Sequence, residues 1–314
     1  MSFNHKHLID LSEYSADDIM TILETAVRFK AVNERRIKQV PTLKGFTVVN
    51  MFNEPSTRTR SSFEIAEKRL SATSMNFGGS STSTVKGESL VDTVQTLCSY
   101  KVDMIVVRDK HAGVPRKIAD VSGVHVIDAG DGKHQHPTQA LLDLFTIWQS
   151  KGTLEGLTVG IVGDIGHSRV CGSLIPALKI MGSKVVAIAP PTLLPARPEV
   201  LGIDAVTHNL DEALPELDVV YMLRIQHERL EGAPFPNLRE YNMLFGLTEA
   251  RDALMKPDAI VCHPGPINRG VELDSFMADH PQRSAILDQV YGGILVRMAA
   301  LYLLLGGSED GVTA

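Results

Sequence analysis

The segment Ser56–Arg60 combines three hydroxyl side chains with two arginines, and it follows an apolar run and opens a helical pattern. The first backbone N–H groups of a helix lack intrahelical partners, and the helix dipole places partial positive charge beside them. With Arg58 and Arg60 added, such a helix start is suited to binding a phosphate group. Ser56 is also a good N-cap, so a capped helix with solvated arginines is the alternative for a bare Ser-Thr-Arg.

Other candidate residues also come directly after apolar runs, and polar or charged side chains are concentrated there. The segments are Val106–Arg108, Gly132–Gln139, Gly163–Arg169, Tyr221–Arg229 and His263–Gly270. Ligands of open parallel sheets bind beyond the carboxyl ends of the strands, so these positions are where chemistry is expected. Gly163–Arg169 could be taken for a dinucleotide loop, but it lacks the three-glycine spacing.

Strand-like runs alternate with helical patterns along the chain, which predicts parallel sheets covered on both faces. The predicted strands are Phe46–Phe52, Asp103–Val107, Val124–Ile127, Leu157–Val162, Lys184–Ala189, Val219–Leu223 and Ala259–Cys262. The predicted helices are Ser56–Leu70, Thr138–Gln149, Ser168–Met181 and Thr248–Met255. Two such series predict an α/β protein with two doubly wound parallel-sheet domains and the active site in the cleft between them.

Composition limits the kinds of partner. The 314 residues include 31 Lys and Arg against 37 Asp and Glu, a formal net charge of −6, which argues against nucleic acid or an anionic membrane as partner. Three scattered cysteines form no metal-ligand spacing and fit a reducing cytoplasm. The N-terminus lacks the apolar core of a signal peptide, and Ile294–Leu305 is too short to span a bilayer and carries Arg297. We therefore expect a cytoplasmic protein.

The nine-residue string Phe52–Arg60 resembles the carbamoyl-phosphate signature of the aspartate and ornithine carbamoyltransferase family. The resemblance implies that Ser56, Thr57 and Thr59 bind phosphate oxygens. It also implies that Arg58 bridges the phosphate and the leaving group and that Thr59 reaches the carbamoyl oxygen. In this context the phosphate interpretation is preferred over the simple capped helix.

Three further segments match the family in the expected order. The resemblance implies that Arg108 contacts the carbamoyl oxygen and the phosphate, and that His136 donates to the carbamoyl oxygen. Gln139 would then help to hold the carbamoyl amide. Pro266 would face the carbamoyl amide or the attacking amine through its backbone carbonyl. Gly265 departs from members that have a bulky residue between the two prolines.

The segment 80–89 reads as a polar, exposed loop, and its Lys-Gly-Glu-Ser resembles the loop that family members lend to a neighbouring subunit's active site. By this resemblance Lys86 is a mobile cation near the phosphate and the incoming amine. Either Thr82 or Ser83 is the accompanying hydroxyl. The resemblance thus implies a homotrimer whose active sites are shared between subunits.

The second half of the chain resembles the acceptor-binding part of the family. The resemblance assigns Arg169 to the α-carboxylate of the acceptor. It assigns Arg224 to the side-chain carboxylate, with Gln226 in support and Glu228 orienting the arginine. Lys86 and Gly265 complete the expected aspartate-binding residues. An exposed charged turn is a plausible alternative for Glu228 and Arg229, but a poor one for Arg224 at the carboxyl end of a strand.

Three features favour L-aspartate over ornithine as the acceptor. Glu54 stands where the ornithine enzymes resemble one another in having lysine, and His263-Pro-Gly-Pro replaces their His-Cys-Leu-Pro. Arg169 and Arg224 suit a dianionic amino acid. Glu54 could also pair with one of these arginines. The expected reaction is carbamoyl transfer from carbamoyl phosphate to L-aspartate, an early step of pyrimidine biosynthesis, with no cofactor and no metal.

Two other classes of protein were weighed against this one. A dehydrogenase is suggested only by the doubly wound pattern, and the glycine fingerprint is missing. A non-catalytic scaffold in a pyrimidine-pathway assembly would be expected to have lost cleft residues, whereas every motif position that can be placed is occupied. By family architecture, residues 1–137 plus 288–314 bind carbamoyl phosphate and residues 138–287 bind aspartate. Association with dihydroorotase or with regulatory chains stays open, as does the group that accepts the proton of the amine.

Overall fold

The structure, a computed structural model, describes residues 3–78, 88–225 and 237–307. It divides into two compact units. The first unit comprises Met1–Leu142 and Tyr291–Ala314, and the second comprises Asp143–Val290. The domain boundaries at 137 and 288 refer to substrate binding and stay a prediction.

Both units are built from short strands that alternate with helices. The strands are β1 His7–Leu8, β2 Thr47–Phe52, β3 Thr73–Phe77, β4 Met104–Asp109, β5 His125–Asp131, β6 Thr158–Val162, β7 Lys184–Ile188, β8 Ala205–Thr207, β9 Val219–Met222 and β10 Ile260–Cys262. The α-helices are α1 Ala16–Glu34, α2 Thr57–Arg69, α3 Leu90–Ser99, α4 Val114–Ser122, α5 Pro137–Lys151, α6 Arg169–Ile180, α7 Leu210–Ala213, α8 Leu238–Phe245, α9 Ser275–Ala278 and α10 Ile286–Leu304. Short 3₁₀ helices lie at Leu11–Glu13, Pro41–Leu43, Pro191–Leu193, Pro198–Leu201, Leu214–Glu216 and Glu249–Leu254.

The sheet of the first unit is parallel, with strand order β1-β5-β4-β2-β3. Its central strands are apolar because both faces are covered, so side chains on both sides of each strand must be buried. Val49 and Met51 of β2 pack in one core cluster with Ile105 and Val107 of β4. Chain order reverses direction between β2 and β4, which makes the carboxyl ends of these two strands the switch point of the sheet.

The sheet of the second unit is also parallel, with strand order β10-β9-β6-β7-β8. Chain order runs from β6 through β7 to β8 on one side, then returns to β9 and β10 on the other. The switch point therefore lies between β6 and β9. Gly160 of β6 fits here because a Cβ atom at this position would lie 2.3 Å from a methyl carbon of Leu217.

The predicted fold class, two doubly wound parallel sheets, is confirmed. Each strand predicted from the sequence is present, although β5 continues four residues beyond the predicted end at Ile127. The helix predicted at Thr248–Met255 is wrong, because Glu249–Leu254 forms a 3₁₀ helix. Asp252 of this segment pairs with Arg283, and Arg283 Nη1 donates to Lys256 O (2.7 Å). Contacts with a residue distant in sequence therefore shape this turn.

Several elements were not predicted from the sequence. The longest is α1, whose start is defined by a capping box in which Ser15 and Asp18 satisfy each other's backbone N–H groups. Helix α3 has a similar start, where Ser89 Oγ accepts from Asp92 N (3.2 Å). Strand β3 has few buried positions and was missed because its side chains lack a clear apolar pattern.

Helix α10 is longer than the apolar stretch suggested by the sequence. It spans 19 residues and is long and apolar enough to cross a membrane by length and composition, so the predicted exclusion by length was wrong. However, 72% of its apolar window is buried inside the structure, as in the core helix of a globular protein. Within it, the Arg297 guanidinium lies 5.2 Å from the centre of the Phe63 ring of α2 and donates to Gly293 O (3.0 Å). Packing of this kind supports the helix that opens with Ser56–Arg60.

A fully buried carboxyl group, Glu67, lies on α2 beneath the sheet. Asn50 of β2 donates a hydrogen bond from Nδ2 to Glu67 Oε2 (2.9 Å). Burial removes water from the charged form and raises the pKa of Glu67 to about 7, against an ordinary value of 4.5. Between pH 4.5 and pH 7, the folded protein therefore retains a proton on Glu67 that the unfolded chain has released.

We predict that Glu67→Gln removes part of the pH dependence of stability. With the folded pKa above the unfolded one, the wild-type free energy of unfolding falls as the pH rises from 4.5 to 7, and it then levels off. The full difference is about 3 kcal/mol. Urea unfolding at pH 5 and pH 8 should show this loss in the wild type and a smaller loss in Glu67→Gln.

Glu64→Gln is the matched control, because Glu64 lies on the same helix in a partly exposed ion pair with Arg60. Its unfolding free energy should retain the wild-type slope between pH 5 and pH 8. An unchanged slope in Glu67→Gln would show that Glu67 is ionised in the folded protein at both pH values.

Candidate active site

The first group of candidate residues lies at the carboxyl edge of the first sheet. The turn before α2 follows β2, Arg108 lies near the end of β4, and the loop with His136 follows β5. Phe52 is paired in register with Arg108, and Asp109 with Asp131. Because the three strands are parallel neighbours, the residues that follow them are brought to one edge, at the switch point between β2 and β4.

Ser56 occupies the N-cap position of α2 in an extended backbone conformation, but its side chain makes no capping hydrogen bond. The prediction of Ser56 as the N-cap residue is therefore confirmed, although its side chain does not cap the helix. Thr59 is buried, Ser56 is half-buried, and Thr57 and Arg58 are exposed. Since the Ser56 hydroxyl does not take up a first-turn N–H group, the helix start keeps the features of an anion site.

Arg108 is held in place by backbone and carboxylate partners. Its Nη1 donates to Ala129 O (3.2 Å), and its Nη2 lies 3.5 Å from Glu54 Oε1. The side chain of Arg108 is only 12% exposed. The register of β4 against β5 shifts between Val107 and Asp109, and such irregularities redirect a side chain at the end of a strand. Glu54 thus has a partner in its own unit, and its pairing with Arg169 or Arg224 stays a prediction.

Two buried aspartates that the sequence analysis missed, Asp109 and Asp131, tie the loops of this edge together. Asp109 accepts from Asn53 Nδ2 (2.8 Å), and its backbone carbonyl accepts from Gly132 N (2.9 Å). Asp131 accepts from Gly113 N (2.8 Å). The sequence signal was present in the Asp-Gly pair that opens the His136 loop, because such pairs form tight turns.

His136 lies at the end of this loop and at the start of α5. It is 5% exposed, and its carbonyl accepts from the N–H groups of Gln139 (3.0 Å) and Ala140 (3.2 Å). Pro137 is the first residue of α5, one residue before the predicted start, since proline is tolerated where no N–H donor is required. Gln139 follows within the first turn and is half-buried. The ring of His136 and the amide of Gln139 are thereby placed on one rigid helix start.

The second group of candidate residues lies at the switch point of the second sheet. Arg169 is the first residue of α6, follows the turn after β6, and is 8% exposed. Ser168 caps this helix by accepting from Cys171 N (3.4 Å). Arg224 comes two residues after the end of β9 and is half-buried. Arg169 thus follows β6 and Arg224 follows β9, and the carboxyl ends of these neighbouring parallel strands lie side by side.

His263 follows β10, and both of its ring nitrogens are engaged. Nδ1 accepts from Gly265 N (2.8 Å), so the proton of the ring is on Nε2, which lies 3.2 Å from Glu272 Oε1. Gly265 has a φ of +65°, a conformation that favours glycine, and it precedes a cis peptide bond to Pro266. This conformation gives a physical reason for glycine between the two prolines.

A buried polar network beneath this loop was not predicted. Asp143 accepts from Tyr221 OH (2.7 Å) and from Gln289 Nε2 (2.7 Å). Gln289 Oε1 in turn accepts from His263 N (2.8 Å). These residues are distant in sequence, and only folding brings them together.

Several predicted site residues lie outside the described residues. They are Lys86 with its hydroxyl candidates Thr82 and Ser83, and Gln226 with Glu228. Their roles stay predictions.

The fold and these two groups of residues define a two-unit α/β protein with arginine-rich sites at the switch points of both parallel sheets. Residues 6–149 match the carbamoyl-P binding domain of aspartate/ornithine carbamoyltransferases, and residues 155–304 match the Asp/Orn binding domain. The chain belongs to the aspartate/ornithine carbamoyltransferase family.

The similarity to known proteins covers nearly the whole chain. The aspartate carbamoyltransferase catalytic subunit of Syntrophotalea carbinolica is 54% identical over 309 residues, which cover 98% of each chain. The crystal structure of aspartate transcarbamoylase from Trypanosoma cruzi in complex with carbamoyl phosphate and aspartate is 31% identical, with a TM-score of 0.86, and the match covers 96% of this chain and 97% of that one. Ornithine carbamoyltransferase from Pyrococcus furiosus also has a TM-score of 0.86, at 30% identity, covering 98% of this chain and 99% of that one. The fold therefore does not distinguish the two acceptors.

We predict that Tyr221→Phe lowers the free energy of unfolding by about 1–3 kcal/mol, because a buried carboxylate oxygen of Asp143 loses a hydrogen-bond donor. Urea unfolding measures the change. Tyr100→Phe is the matched control, since Tyr100 is 61% exposed and its hydroxyl can exchange a lost partner for water. Equal stability losses in the two variants would contradict an energetic role for the buried network.

Proposed function

We propose that this protein transfers the carbamoyl group of carbamoyl phosphate to the amino group of L-aspartate, giving N-carbamoyl-L-aspartate and phosphate. The observation that carries the proposal is whole-length similarity, 49–54% identical in two relatives, to proteins named aspartate carbamoyltransferase catalytic subunit. The presence of arginines after both β6 and β9 supports an acceptor with two carboxylates. The reaction belongs to pyrimidine biosynthesis.

Carbamoyl phosphate is bound by residues of the first sheet, with one contribution from the second unit. Ser56, Thr57 and Thr59 bind the phosphate oxygens at the start of α2, and Arg58 bridges the phosphate and the leaving oxygen. The carbamoyl oxygen is bound by Thr59, Arg108 and His136. Two further residues, Gln139 and the backbone of Pro266, hold the carbamoyl amide. The support is that Arg108 lies near the carboxyl end of β4 and that the other residues except Pro266 follow β2 or β5, in the same sheet.

L-Aspartate is bound mainly by residues of the second unit. Arg169 takes the α-carboxylate, and Arg224 takes the side-chain carboxylate. Gln226, Lys86 and the backbone at Gly265 complete this binding set. Arginine suits both positions because its planar guanidinium can meet a carboxylate with two parallel hydrogen bonds.

The amine of aspartate attacks the carbamoyl carbon directly, and phosphate departs without a covalent enzyme intermediate. Positioning of two reactants can lower a barrier by ~7–11 kcal/mol in favourable cases. Donors to the oxygen that becomes negative are each worth roughly ~3–4 kcal/mol in other enzymes, and Thr59, Arg108 and His136 fill this role. The leaving phosphate is a candidate acceptor for the proton of the amine.

Ornithine is the second candidate acceptor, because the fold is shared with an ornithine enzyme. Its side chain ends in an ammonium group, which Arg224 would repel at close range. Glu54, the acidic residue before the phosphate turn, is paired with Arg108 in the same unit. These charges favour L-aspartate.

The assembly follows from the same assignment. We infer a cytoplasmic homotrimer in which Lys86, with Thr82 or Ser83, enters the active site of a neighbouring subunit. Residues 1–137 plus 288–314 form the carbamoyl-phosphate domain, and residues 138–287 form the aspartate domain. Association with dihydroorotase or regulatory chains is compatible with such a trimer.

An assay of carbamoyl phosphate with either acceptor tests the function. The wild type should carbamoylate L-aspartate and not ornithine. Arg224→Gln should raise KM for aspartate by about 100-fold or more, because a charged, paired carboxylate loses its partner. Arg239→Gln, which changes an exposed arginine of α8, is the matched control and should leave KM unchanged. Preferential carbamoylation of ornithine by the wild type would overturn the assignment.

Mixing two inactive variants tests the shared active sites. Lys86→Gln and His136→Ala should each be nearly inactive alone, because each trimer then lacks one component of every site. After dissociation and reassembly of a mixture, some sites receive both intact residues, so part of the activity should return. Light scattering should give the mass of a trimer. A mixture that stays inactive although mixed trimers form would show that each subunit builds its own site.

A further inference from the structure

We propose that Asn268 and Glu272 are positioning residues that hold Arg224 in the geometry required for L-aspartate, and this rests on the proposed function. They link the loop after β10 to the chain segment that follows β9. Neither residue belongs to the predicted substrate-binding set. The argument starts from Glu272 and ends at the backbone beside Arg224.

Glu272 holds the loop after β10 in place. Its side chain is fully buried, and Oε1 accepts from Asn268 N (2.6 Å) while lying 3.2 Å from His263 Nε2. Because His263 Nδ1 already accepts from Gly265 N, the Nε2 atom is the donor toward Glu272. One carboxylate oxygen therefore fixes two points of the same loop, one before and one after Pro266.

Asn268 carries the link from this loop to the other strand. Its Nδ2 donates to Ile225 O (2.9 Å), and Ile225 is fully buried next to Arg224. The hydrogen-bond ladder of β9 ends at Met222, and Leu223 N donates to Val162 O (2.8 Å). The Asn268 amide thus anchors the chain two residues further on, where the sheet no longer does so.

The position of this anchor determines which substrate should be affected. A guanidinium must be held within about 0.5 Å of its productive position for paired hydrogen bonds to a carboxylate. Loss of the Asn268–Ile225 bond loosens the backbone of Arg224 and so weakens the grip on the aspartate side chain. The phosphate turn, Arg108 and His136 belong to the first unit, so binding of carbamoyl phosphate should be much less affected.

Steady-state kinetics of Asn268→Ala test the proposal. KM for L-aspartate should rise about ten-fold, the equivalent of one lost hydrogen bond to a buried carbonyl. KM for carbamoyl phosphate should stay within about two-fold of the wild type, because its direct ligands are unchanged. A purely structural role would instead reduce the melting temperature and the fraction of active protein without this split between the two substrates.

Ser183→Ala is the matched control. Ser183 lies in the same unit and donates from Oγ to a backbone carbonyl, Leu154 O, at 2.6 Å. Its bond involves neither the turn 268–272 nor the segment that carries Arg224. This variant should lose comparable stability and keep the wild-type KM for aspartate.

Two variants of Glu272 provide the conservative comparison. Glu272→Gln keeps an oxygen that can accept from Asn268 N and His263 Nε2, whereas Glu272→Ala removes the acceptor. Glu272→Gln should therefore retain KM for aspartate within about three-fold of the wild type, and Glu272→Ala should raise it at least as much as Asn268→Ala does.

The outcomes separate the two proposals. A wild type that carbamoylates no aspartate overturns the proposed function and the positioning role together. An active wild type with an unchanged aspartate KM in Asn268→Ala overturns the positioning role alone. Equal changes of the aspartate KM in Asn268→Ala and Ser183→Ala, or equal KM changes for both substrates in Asn268→Ala, would also overturn it.

Discussion

Parallel strand pairing is the interaction on which both candidate sites depend. In each sheet the chain order reverses between two neighbouring strands, β2 and β4 in the first sheet and β6 and β9 in the second. The connections that follow these two strands run to opposite sides of the sheet. The carboxyl ends of these two strands lie next to each other at one edge of the sheet. A helix start that follows one strand and an arginine at the end of the other can therefore lie close together.

Strand ends alone leave the following residues loosely held, and buried polar groups provide the remaining order. Asp109 and Asp131 tie the loops of the first sheet, and Asp143 and Glu272 do the same in the second. A buried carboxylate is costly unless it is hydrogen-bonded, and each of these groups accepts such hydrogen bonds. Burial of Glu67, in the helix that carries the phosphate turn, raises its pKa to about 7 for the same physical reason.

Backbone architecture and acceptor choice are separate properties of this family. An aspartate enzyme and an ornithine enzyme resemble the chain equally well in fold, each with a TM-score of 0.86. The choice of acceptor is therefore not determined by the backbone fold. Arg169 and Arg224 place two cations after the neighbouring strands β6 and β9. Preorganised charges of this type are stronger in a partly buried site than in water.

The sequence by itself determined the features that depend on neighbouring residues. These are the apolar runs of β2, β4 and β6, the helix start at Ser56–Arg60, and the motif around His136. Three features were not readable in this way. Ser56 does not cap α2 through its side chain, Glu249–Leu254 is not an α-helix, and Asn268 reaches a carbonyl 43 residues away in sequence. Hydrogen bonds between distant segments leave no periodic pattern in the chain, because their partners are chosen by folding. Only the tertiary structure decided these partners, including Ala129 O and Glu54 for Arg108.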